Sequence, residues 1–480
     1  MPQAAANTPR QTIAAVATAA AAGAIGIVRL SGPACDRVAQ RVCGRSLVPR
    51  QATLVDFRGP DGEVLDQGLA LYFKAPSSYT GEDVLELQGH GGLAVLQMVL
   101  RACLVCDLPE DSIRLARPGE FTERAFLNDR LDLAQAEAVA DLISAQTSRA
   151  AQAAMASLKG AFSEAIAALQ AQLIDLRLRV EACLDFPEED LEFIGREQVA
   201  ERLAACLDRL EQIFRAAQRG QTLREGLRVV LVGPPNVGKS SLLNALAEEE
   251  VAIVTPVAGT TRDRLIQDIV VSGLPIRLID TAGLRQTTDP IEQLGIERSW
   301  QSVEQADLVI LLRDASGDIA ADEAMEQRVL SLVGARGPGA VKTGLAARPA
   351  QVLLVLNKAD LAGESLGAEV LQHGLVQRQV SVSAKTGEGL EALREAIAEA
   401  AGFLQAGGSE GVFSARARQL DALVRAQAAL VQAQAHLRLE ALECLAEELR
   451  LAQQALSEIT GEYLPDDLLG AIFGHFCIGK

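Results

Sequence analysis

The chain has 480 residues, a formal net charge of −18 and few aromatic residues, which make up 3% of the sequence. This length predicts roughly two to four domains with ample chain for large cores. The net negative charge argues against a broad basic surface for nucleic acid, and the alanine- and leucine-rich composition indicates a globular protein rich in helix. Residues 1–50 differ, because they hold six arginines against the single acid Asp36, which leaves a local basic face open.

The eight cysteines lie in apolar surroundings, and only Cys103 and Cys106 form a C-x-x-C pair. No second pair stands at zinc-binding spacing, so we predict buried free thiols in a reducing compartment. The weakly apolar run Thr12–Val28 follows Arg10 and resembles a signal peptide. Its core is alanine rather than leucine, and it leads directly into the strand-like GIVRLSG. We therefore predict a folded strand and loop, and no association with the membrane.

Residues 1–128 mix short apolar runs with turn signals. Leu69–Phe73 and Val84–Leu87 have the composition of strands, and Ala94–Cys106 has that of a helix. We predict a compact α+β domain over this part of the chain.

Two alanine-rich segments with 3.6-residue periodicity flank the centre of the chain. The first, residues 129–222, is broken at Gly160 and ends near Gly220. The second, residues 404–480, starts with a glycine-rich linker and then has an unbroken helical pattern over 413–460. We predict that the two segments pack together as one discontinuous helical domain, with the central residues inserted between them.

Residues 223–403 alternate strand and helix patterns, as is typical of a doubly wound parallel sheet. The glycine-rich tract Gly334–Pro349 indicates a surface insertion within this domain. The predicted strands are 227–232, 266–271, 276–280, 308–312, 352–356 and 379–382.

The stretch LRVVLVGPPNVGKSSLL, residues 227–243, contains the pattern G-x-x-x-x-G-K-[ST] in Gly233, Gly238, Lys239 and Ser240. A strand precedes the loop and a helix follows it, so backbone N–H groups and the positive end of the helix dipole meet the phosphates of a nucleotide. We predict that Lys239 reaches the β- and γ-phosphates and that the Ser240 hydroxyl binds Mg²⁺.

Further elements downstream predict that the nucleotide is GTP. The Thr261 hydroxyl can complete the Mg²⁺ shell, and Asp280 can hold the ion through water. Asp360 can accept hydrogen bonds from the N1–H and N2–H₂ groups of guanine, a donor pair that adenine lacks. The predicted GTP-binding residues are Asn236, Val237, Gly238, Lys239, Ser240, Ser241, Thr255, Pro256, Val257, Ala258, Gly259, Thr260, Thr261, Asp280, Thr281, Ala282, Gly283, Asn357, Lys358, Ala359, Asp360, Ser383, Ala384 and Lys385.

These motifs predict a GTPase, and its need for GTP indicates a cytoplasmic protein. The predicted fold class is multidomain α/β plus all-α. It comprises an N-terminal α+β domain, a discontinuous helical domain and an inserted Ras-like P-loop GTPase domain.

Hydrolysis must use a group other than the glutamine that orients water in Ras-like proteins, because Leu284 occupies that position. Three acids in the following loop can orient the attacking water: Asp289, Glu292 and Glu297. The transition state also needs positive charge, and an arginine finger is worth ~10³–10⁵ in rate. Either Arg285 or a monovalent cation held by Asn236 can supply this charge, and spacing alone does not choose between them.

Three segments outside the GTPase motifs resemble the MnmE (TrmE) family, the GTPases that modify the wobble uridine of tRNA. They are YTGEDVLELQGHGG (Tyr79–Gly92), RPGEFTERAFLNDRLDLAQAEA (Arg117–Ala138) and the terminal FCIGK (Phe476–Lys480). The resemblance covers nearly the whole chain. The alternative is a ribosome-assembly GTPase of the Era or EngA type, which shares the central domain but not these segments.

The resemblance implies a K⁺-stimulated GTPase in which Glu292 orients the attacking water through a bridging water. The implied K⁺ ligands are Asn236, Thr255, Val257 and Thr260. Members of the family form homodimers, and a heterotetramer with the FAD-dependent MnmG (GidA) protein is implied. Together the two proteins would add an aminomethyl or carboxymethylaminomethyl group to C5 of the wobble uridine, and GTP hydrolysis would drive a conformational change.

The resemblance also implies that the N-terminal domain binds 5,10-methylene- or 5-formyl-tetrahydrofolate as the one-carbon donor. The implied folate-binding residues are Arg29, Glu86, Arg130 and Lys480. Cys477 is a candidate for a catalytic thiol, although a cysteine after an apolar helix is more often simply buried. Two positions depart from the family pattern. Arg130 stands in place of a lysine, and Ala19–Ala24 replaces a Pro-Pro-Gly-Arg-Gly-Gly loop, so contacts made by that loop are not carried over.

Overall fold

The computed structural model divides the chain into two compact units, Met1–Ala140 with Thr460–Lys480, and Asp141–Ile459. Among the described helices, none combines the length and the apolar character needed to cross a bilayer. The structure describes residues 11–19, 21–106, 113–185, 196–247, 266–280, 300–317, 323–334, 350–362, 367–373, 376–403, 412–462, 466–474, 476 and 479.

The first unit is built on a six-stranded sheet with the strand order β3-β4-β5-β2-β1-β6. All neighbouring strands pair antiparallel except β1 and β6, which are parallel. Helices α1 (Cys35–Cys43) and α2 (Leu93–Leu104) bury apolar residues in one core with this sheet, and α3 (Glu120–Leu127) follows β6. The strands are β1 (Thr12–Val16), β2 (Gly23–Ser31), β3 (Thr53–Arg58), β4 (Val64–Phe73), β5 (Val84–Gly91) and β6 (Ile113–Leu115).

The predicted strands and helix of this region are confirmed, although their ends differ by a few residues. The run that resembles a signal peptide forms β1 and most of β2, and the two predicted strands and the helix correspond to β4, β5 and α2. Strand β5 shows why the pattern was readable. Leu85 and Leu87 are buried in the core while Glu86 and Gln88, on the other face, are only partly buried.

The helices that follow are α4 (Leu133–Ser144), α5 (Ser148–Leu158), α6 (Ala161–Asp185) and α7 (Arg196–Glu225). Helix α7 continues past Gly220, near which we predicted its end. An ideal Cβ at Gly220 would lie 1.8 Å from the carbonyl oxygen of Phe413. The glycine therefore permits close packing of the chain against α7 and does not end the helix.

The second unit contains a seven-stranded sheet with the order β12-β13-β11-β10-β7-β9-β8. The strands are β7 (Leu227–Val232), β8 (Ile266–Val271), β9 (Leu274–Asp280), β10 (Leu308–Asp314), β11 (Gln351–Asn357), β12 (Gly367–His373) and β13 (Val376–Ser381). Among the described residues, the helices that alternate with these strands are residues 300–305, α8 (Lys239–Ala247), α9 (Glu323–Gly334), α10 (Ala359–Ala362) and α11 (Leu390–Ala400).

The predicted parallel sheet forms, with an antiparallel strand added at each edge. The five inner strands are parallel, but β8 pairs antiparallel with β9 and β12 pairs antiparallel with β13. Only Ser272 and Gly273, both with positive φ, connect β8 to β9. Two residues can close a hairpin but are far too few for the crossover that parallel strands need. Strand β12 was not predicted.

After the seven-stranded sheet, residues 412–416 pack against α6 and α7. The rings of Phe413 and Phe162 stack with their centroids 4.5 Å apart. Helices α12 (Ala417–Arg438) and α13 (Leu442–Thr460) follow, so the predicted unbroken helix over 413–460 is wrong. Glu440 adopts a left-handed φ of 59°, and Arg425 then contacts Glu458 at 2.6 Å because α13 folds back along α12.

The last described helix, α14 (Asp466–Gly474), belongs to the core of the first unit. Phe473 is fully buried, and its ring lies 6.2 Å from that of Phe126. Gly119 has a φ of +68°, and an ideal Cβ there would lie 2.5 Å from the Phe473 carbonyl oxygen. A side chain at position 119 would therefore separate α14 from the start of α3.

Within the described residues, the thiols are buried or half-buried, as predicted, except for Cys444 on α13. Cys444 is exposed, because α13 buries Leu445 and Leu449 and turns its other face to solvent. Burial raises the pKa of the Cys43 thiol to about 12, so this group is a poor nucleophile. The buried cysteines are Cys35, Cys43, Cys103 and Cys206, and Cys106 and Cys183 are half-buried.

The chain contains a single tryptophan, Trp300, within the helical residues 300–305. Its side chain is buried in the core on one face of the seven-stranded sheet, together with Val303 and Val309. The Arg328 guanidinium of α9 lies 4.2 Å from the centre of its ring, a cation–π contact that ties α9 to this helix.

Candidate functional sites

The P-loop begins where β7 ends and leads into α8. Two of its glycines lie where no side chain fits. An ideal Cβ would lie 2.5 Å from the Leu312 carbonyl oxygen at Gly233 and 2.3 Å from the Asn357 Nδ2 at Gly238, whose φ is +95°. The loop backbone can therefore approach its neighbours and a ligand closely, as a phosphate cradle requires.

Lys239 stands at the first position of α8 and spans its own loop. Its Nζ donates hydrogen bonds to the carbonyl oxygens of Gly233 at 2.8 Å and Pro234 at 2.9 Å. Asn236 is exposed with a positive φ of 64°, and Ser240 and Ser241 are exposed on the first turn of the helix. The charged group and the hydroxyls of this motif thus meet at the carboxyl end of β7, one of the parallel inner strands, and ligands bind at such strand ends in open α/β sheets.

Asn357, at the end of β11, joins the P-loop to the loop that follows β13. Its Nδ2 donates to the carbonyl oxygen of Val237 at 2.8 Å, and its Oδ1 accepts from the Ala384 N–H at 3.0 Å. The residue is 2% exposed, so both bonds are shielded from water. Sequence reasoning placed Asn357 among the nucleotide contacts, whereas its position gives it the further role of holding two of the contacting loops together.

The neighbouring residues complete this edge of the sheet. The Ala359 N–H donates to the Val382 carbonyl oxygen at 3.1 Å, and the buried Ser383 hydroxyl accepts from the Thr386 N–H at 3.2 Å. Asp360 and Lys385 are exposed at the same edge. The arrangement leaves a carboxylate available for the base and a phosphate cradle one loop away.

Several predicted residues lie outside the described part of the chain. These are the loop Thr255–Thr261, the residues Thr281, Ala282 and Gly283, and the proposed water-orienting Glu292. Asp280 ends β9, and its backbone pairs with Leu231 of β7, so the Asp-Thr-Ala-Gly motif starts one strand away from the P-loop.

In the first unit, Arg29 of β2 and Glu86 of β5 face each other across the sheet. The Arg29 Nε donates to Glu86 Oε1 at 2.9 Å, and a second guanidinium nitrogen contacts the same oxygen at 2.8 Å. The rings of Tyr79 and Phe121 each lie 5.9 Å from the guanidinium carbon. Two of the four residues assigned to folate are therefore brought together as a partly buried ion pair.

The carboxyl-terminal tail reaches this ion pair. Arg29 also donates to the Gly479 carbonyl oxygen at 3.4 Å. Gly479 has a φ of +93°, and an ideal Cβ there would lie 2.3 Å from the Val16 carbonyl oxygen. Arg130 is exposed, with its side-chain stem beside Gly81. The side chains of Cys477 and Lys480 lie outside the described residues.

A buried ion-pair network joins the two long segments that carry the resemblance, and sequence reasoning did not identify it. Arg124 donates to Glu82 at 2.8 Å and to Glu120 at 3.2 Å, and Arg114 donates to Glu120 at 2.7 Å. Burial alone would raise the pKa of Glu120, but hydrogen bonds from Arg114 and the Arg117 N–H, with the nearby Arg124 charge, lower it to about 2. The charged composition of both segments was the available signal, but it did not reveal which residues pair.

The five parallel strands and the loops at their carboxyl ends define a P-loop GTPase. A family model for the "GTP-binding protein TrmE N-terminus" matches residues 12–130, and one for the "MnmE helical domain" matches residues 133–477. The chain belongs to the MnmE family.

Curated relatives match over nearly their full length. The tRNA modification GTPase MnmE of Ralstonia nicotianae is 51% identical over 99% of this chain and 98% of that protein. The MnmE of Pseudomonas fluorescens Pf-5 is 50% identical over 99% of this chain and 100% of that protein. Among solved structures, the G domain of the T. maritima FeoB iron transporter is 28% identical over 36% of this chain and 98% of that chain, with a TM-score of 0.26.

Proposed function

We propose that the protein hydrolyses GTP in the service of tRNA modification. With an FAD-dependent MnmG partner, it installs an aminomethyl or carboxymethylaminomethyl group on C5 of the wobble uridine. The family membership and the name of the relatives, tRNA modification GTPase, support the tRNA substrate. The observation that best supports GTP hydrolysis is the pair of hydrogen bonds by which Asn357 connects the P-loop to the loop that contains Ala384.

The P-loop residues suit Mg²⁺ and GTP. At Gly233 and Gly238 the loop backbone packs directly against Leu312 and Asn357, where no side chain fits. The N–H groups of this glycine-bounded loop would bind phosphate oxygens. Lys239 would then contact the β- and γ-phosphates, and Ser240 would hold Mg²⁺ together with Thr261. The bound metal would neutralise charge that develops on the phosphates.

We further propose that K⁺ takes the place of an arginine finger. Its ligands are Asn236, Thr255, Val257 and Thr260, and Glu292 orients the attacking water. The exposed Asn236 beside the phosphate cradle supports this assignment. GTP turnover in K⁺ should exceed turnover in Na⁺ by a wide margin. Equal rates in the two salts would remove the Asn236 assignment.

The one-carbon donor, 5,10-methylene- or 5-formyl-tetrahydrofolate, would bind the first unit through Arg29, Glu86, Arg130 and Lys480. The carboxylate of Glu86 suits the N–H edge of a pterin, and the cationic groups suit a glutamate tail. When bound, the folate supplies the carbon that is transferred to uridine. The contact between Gly479 and Arg29 supports a shared site for the tail and the folate residues, and it favours a role for Cys477 in the same reaction.

We propose the assembly that the family resemblance implies. The protein would form a homodimer through its N-terminal domains, combine with MnmG in a heterotetramer and act in the cytoplasm, with GTP hydrolysis driving a conformational change. Mass determination of the mixture of the two purified proteins tests the assembly, and separate non-interacting species would contradict it.

Nucleoside analysis of cellular tRNA tests the modification itself. Cells that carry Cys477→Ser, or that lack the last four residues, should lose the modified wobble uridine. Cys444→Ser is the matched control, because Cys444 is exposed on α13 and should leave the nucleoside unchanged. Wild-type levels in the tail variants would exclude the tail from the mechanism.

A further inference from the structure

Lys358, in the Asn-Lys-Ala-Asp motif, adopts a backbone conformation that lysine rarely takes. Its φ is 62°, in the left-handed region that disfavours residues with a Cβ. Such a conformation persists where the surrounding contacts determine it. On either side, the Asn357 side chain is bound to two loops and the Ala359 N–H donates to Val382. The lysine side chain itself has one further partner.

That partner is Asp314, at the end of β10. The Lys358 Nζ lies 2.6 Å from Asp314 Oδ2, while Asp314 Oδ1 accepts from the N–H and the hydroxyl of Ser316 at 3.0 and 2.7 Å. Both carboxylate oxygens are therefore engaged and the orientation of the group is set. The Lys358 hydrogen bond leads the contacts that lower the pKa of Asp314, so the carboxylate is ionised at neutral pH.

A second contact ties the same two loops together. The Ala315 N–H donates to the Asn357 carbonyl oxygen at 2.8 Å. Two consecutive residues thus hold the motif. Ala315 binds the backbone of Asn357, and Asp314 binds the side chain of Lys358. Fixing a lysine side chain at a surface costs rotamer entropy. Here the fixed lysine lies at the edge of the sheet where the base is expected to bind.

Asp360 differs from Asp314 in its contacts. It is exposed, and within the described part of the chain its side chain makes no hydrogen bond or ion pair. One carboxylate is thus available to a ligand while the other is fully used inside the protein. Recognition and positioning are assigned to different acids.

We propose that Asp314 is a positioning residue of the guanine site. By holding Lys358, it keeps the turn from Asn357 to Asp360 in the conformation in which Asp360 can accept both N–H groups of guanine. The proposal rests on the GTPase function and adds to it a residue of β10 that no nucleotide-binding motif contains.

Titration calorimetry with GDP and with IDP, which lacks the exocyclic amine, tests the proposal. Asp314→Asn should weaken GDP binding about threefold to tenfold, as expected for a partly exposed ion pair, and should weaken IDP binding less. The KM for GTP should rise with kcat unchanged. Asp314→Glu, which keeps the charge, should recover part of the affinity.

The control is Asp307→Asn, at the opposite end of β10, where the carboxylate accepts from the Arg228 N–H at 2.9 Å. This variant should keep the wild-type ratio of GDP to IDP affinity. In a cycle of Asp314→Ala and Lys358→Ala, the double variant should be no weaker than the worse single variant. Additive losses, or wild-type nucleotide affinities in Asp314→Asn, would overturn the proposal. Failure of the wild-type protein to bind GDP would instead refute the GTPase function.

Discussion

The nucleotide edge of the second unit and the ion-pair network of the first are built from different chemical groups. At the carboxyl edge of the seven-stranded sheet, which holds the predicted nucleotide contacts, the neutral Asn357 side chain joins two loops by bonding to the Val237 carbonyl and the Ala384 N–H, and one ion pair, Lys358–Asp314, adds to it. In the first unit, Glu120 and Arg124 are joined through charged side chains. Substitutions at the nucleotide edge should therefore change ligand binding and catalysis, whereas substitutions in the network should change stability and its dependence on pH.

The largest expected effect is that of Lys239→Ala. The change removes the one charged side chain of the P-loop, so GTP hydrolysis at saturating GTP should slow by about 10²–10³-fold, with little change in the thermal midpoint. Phosphate release and thermal unfolding measure the two quantities. Lys159→Ala, an exposed lysine beyond α5, is the control and should turn over normally. A large loss of stability in Lys239→Ala would break the contrast.

Glu120 provides the corresponding test in the network. Its folded pKa of about 2 lies below the ordinary value of 4.5, so its stabilisation is present above the unfolded pKa and is lost as pH falls toward the folded one. The contribution is at most about 3 kcal/mol. Urea unfolding at neutral and acidic pH should show a smaller acid loss in Glu120→Gln than in the wild type. Glu63→Gln, at an exposed turn, should follow the wild-type curve, and an identical curve for Glu120→Gln would contradict the assignment.

Asn357→Ala sharpens the comparison, because this uncharged side chain joins two loops by bonding to their backbone groups. The change leaves the Val237 carbonyl and the Ala384 N–H without their partner, at a cost of about 1–3 kcal/mol. GDP affinity should fall about tenfold to a hundredfold, as measured by titration calorimetry. Asn244→Ala, exposed on α8, is the matched control. Equal affinities for the two variants would show that the bridge does not hold the loops for the nucleotide.

The smallest effect is expected at the Arg29–Glu86 pair. The two side chains are 22% and 14% exposed, so solvent screens their attraction and Glu86→Ala should cost only about 1 kcal/mol. Urea unfolding of the two alanine variants and of the double variant isolates the coupling between them. Strictly additive losses would show that the pair adds no stability of its own.

The same contrast explains how much was readable from the sequence. The P-loop and the Asn-Lys-Ala-Asp turn were predicted because each functional group lies within a few residues of the others. The Arg124–Glu82 pair joins positions 42 residues apart, and Asn357 meets Val237 over a separation of 120, so no local pattern specifies either partner. The sequence around Glu440 did not predict a helix end, because the left-handed turn there uses neither glycine nor proline.

Trp300 gives the second unit an intrinsic fluorescent probe. It is the chain's single tryptophan and lies eight residues after Glu292 in the sequence. The Arg328 guanidinium lies over its ring. Tryptophan emission from the unmodified protein therefore arises from this one position. Any rearrangement on nucleotide exchange that moves Arg328 off the ring, or admits water to it, will change the intensity and colour of that emission without an attached dye.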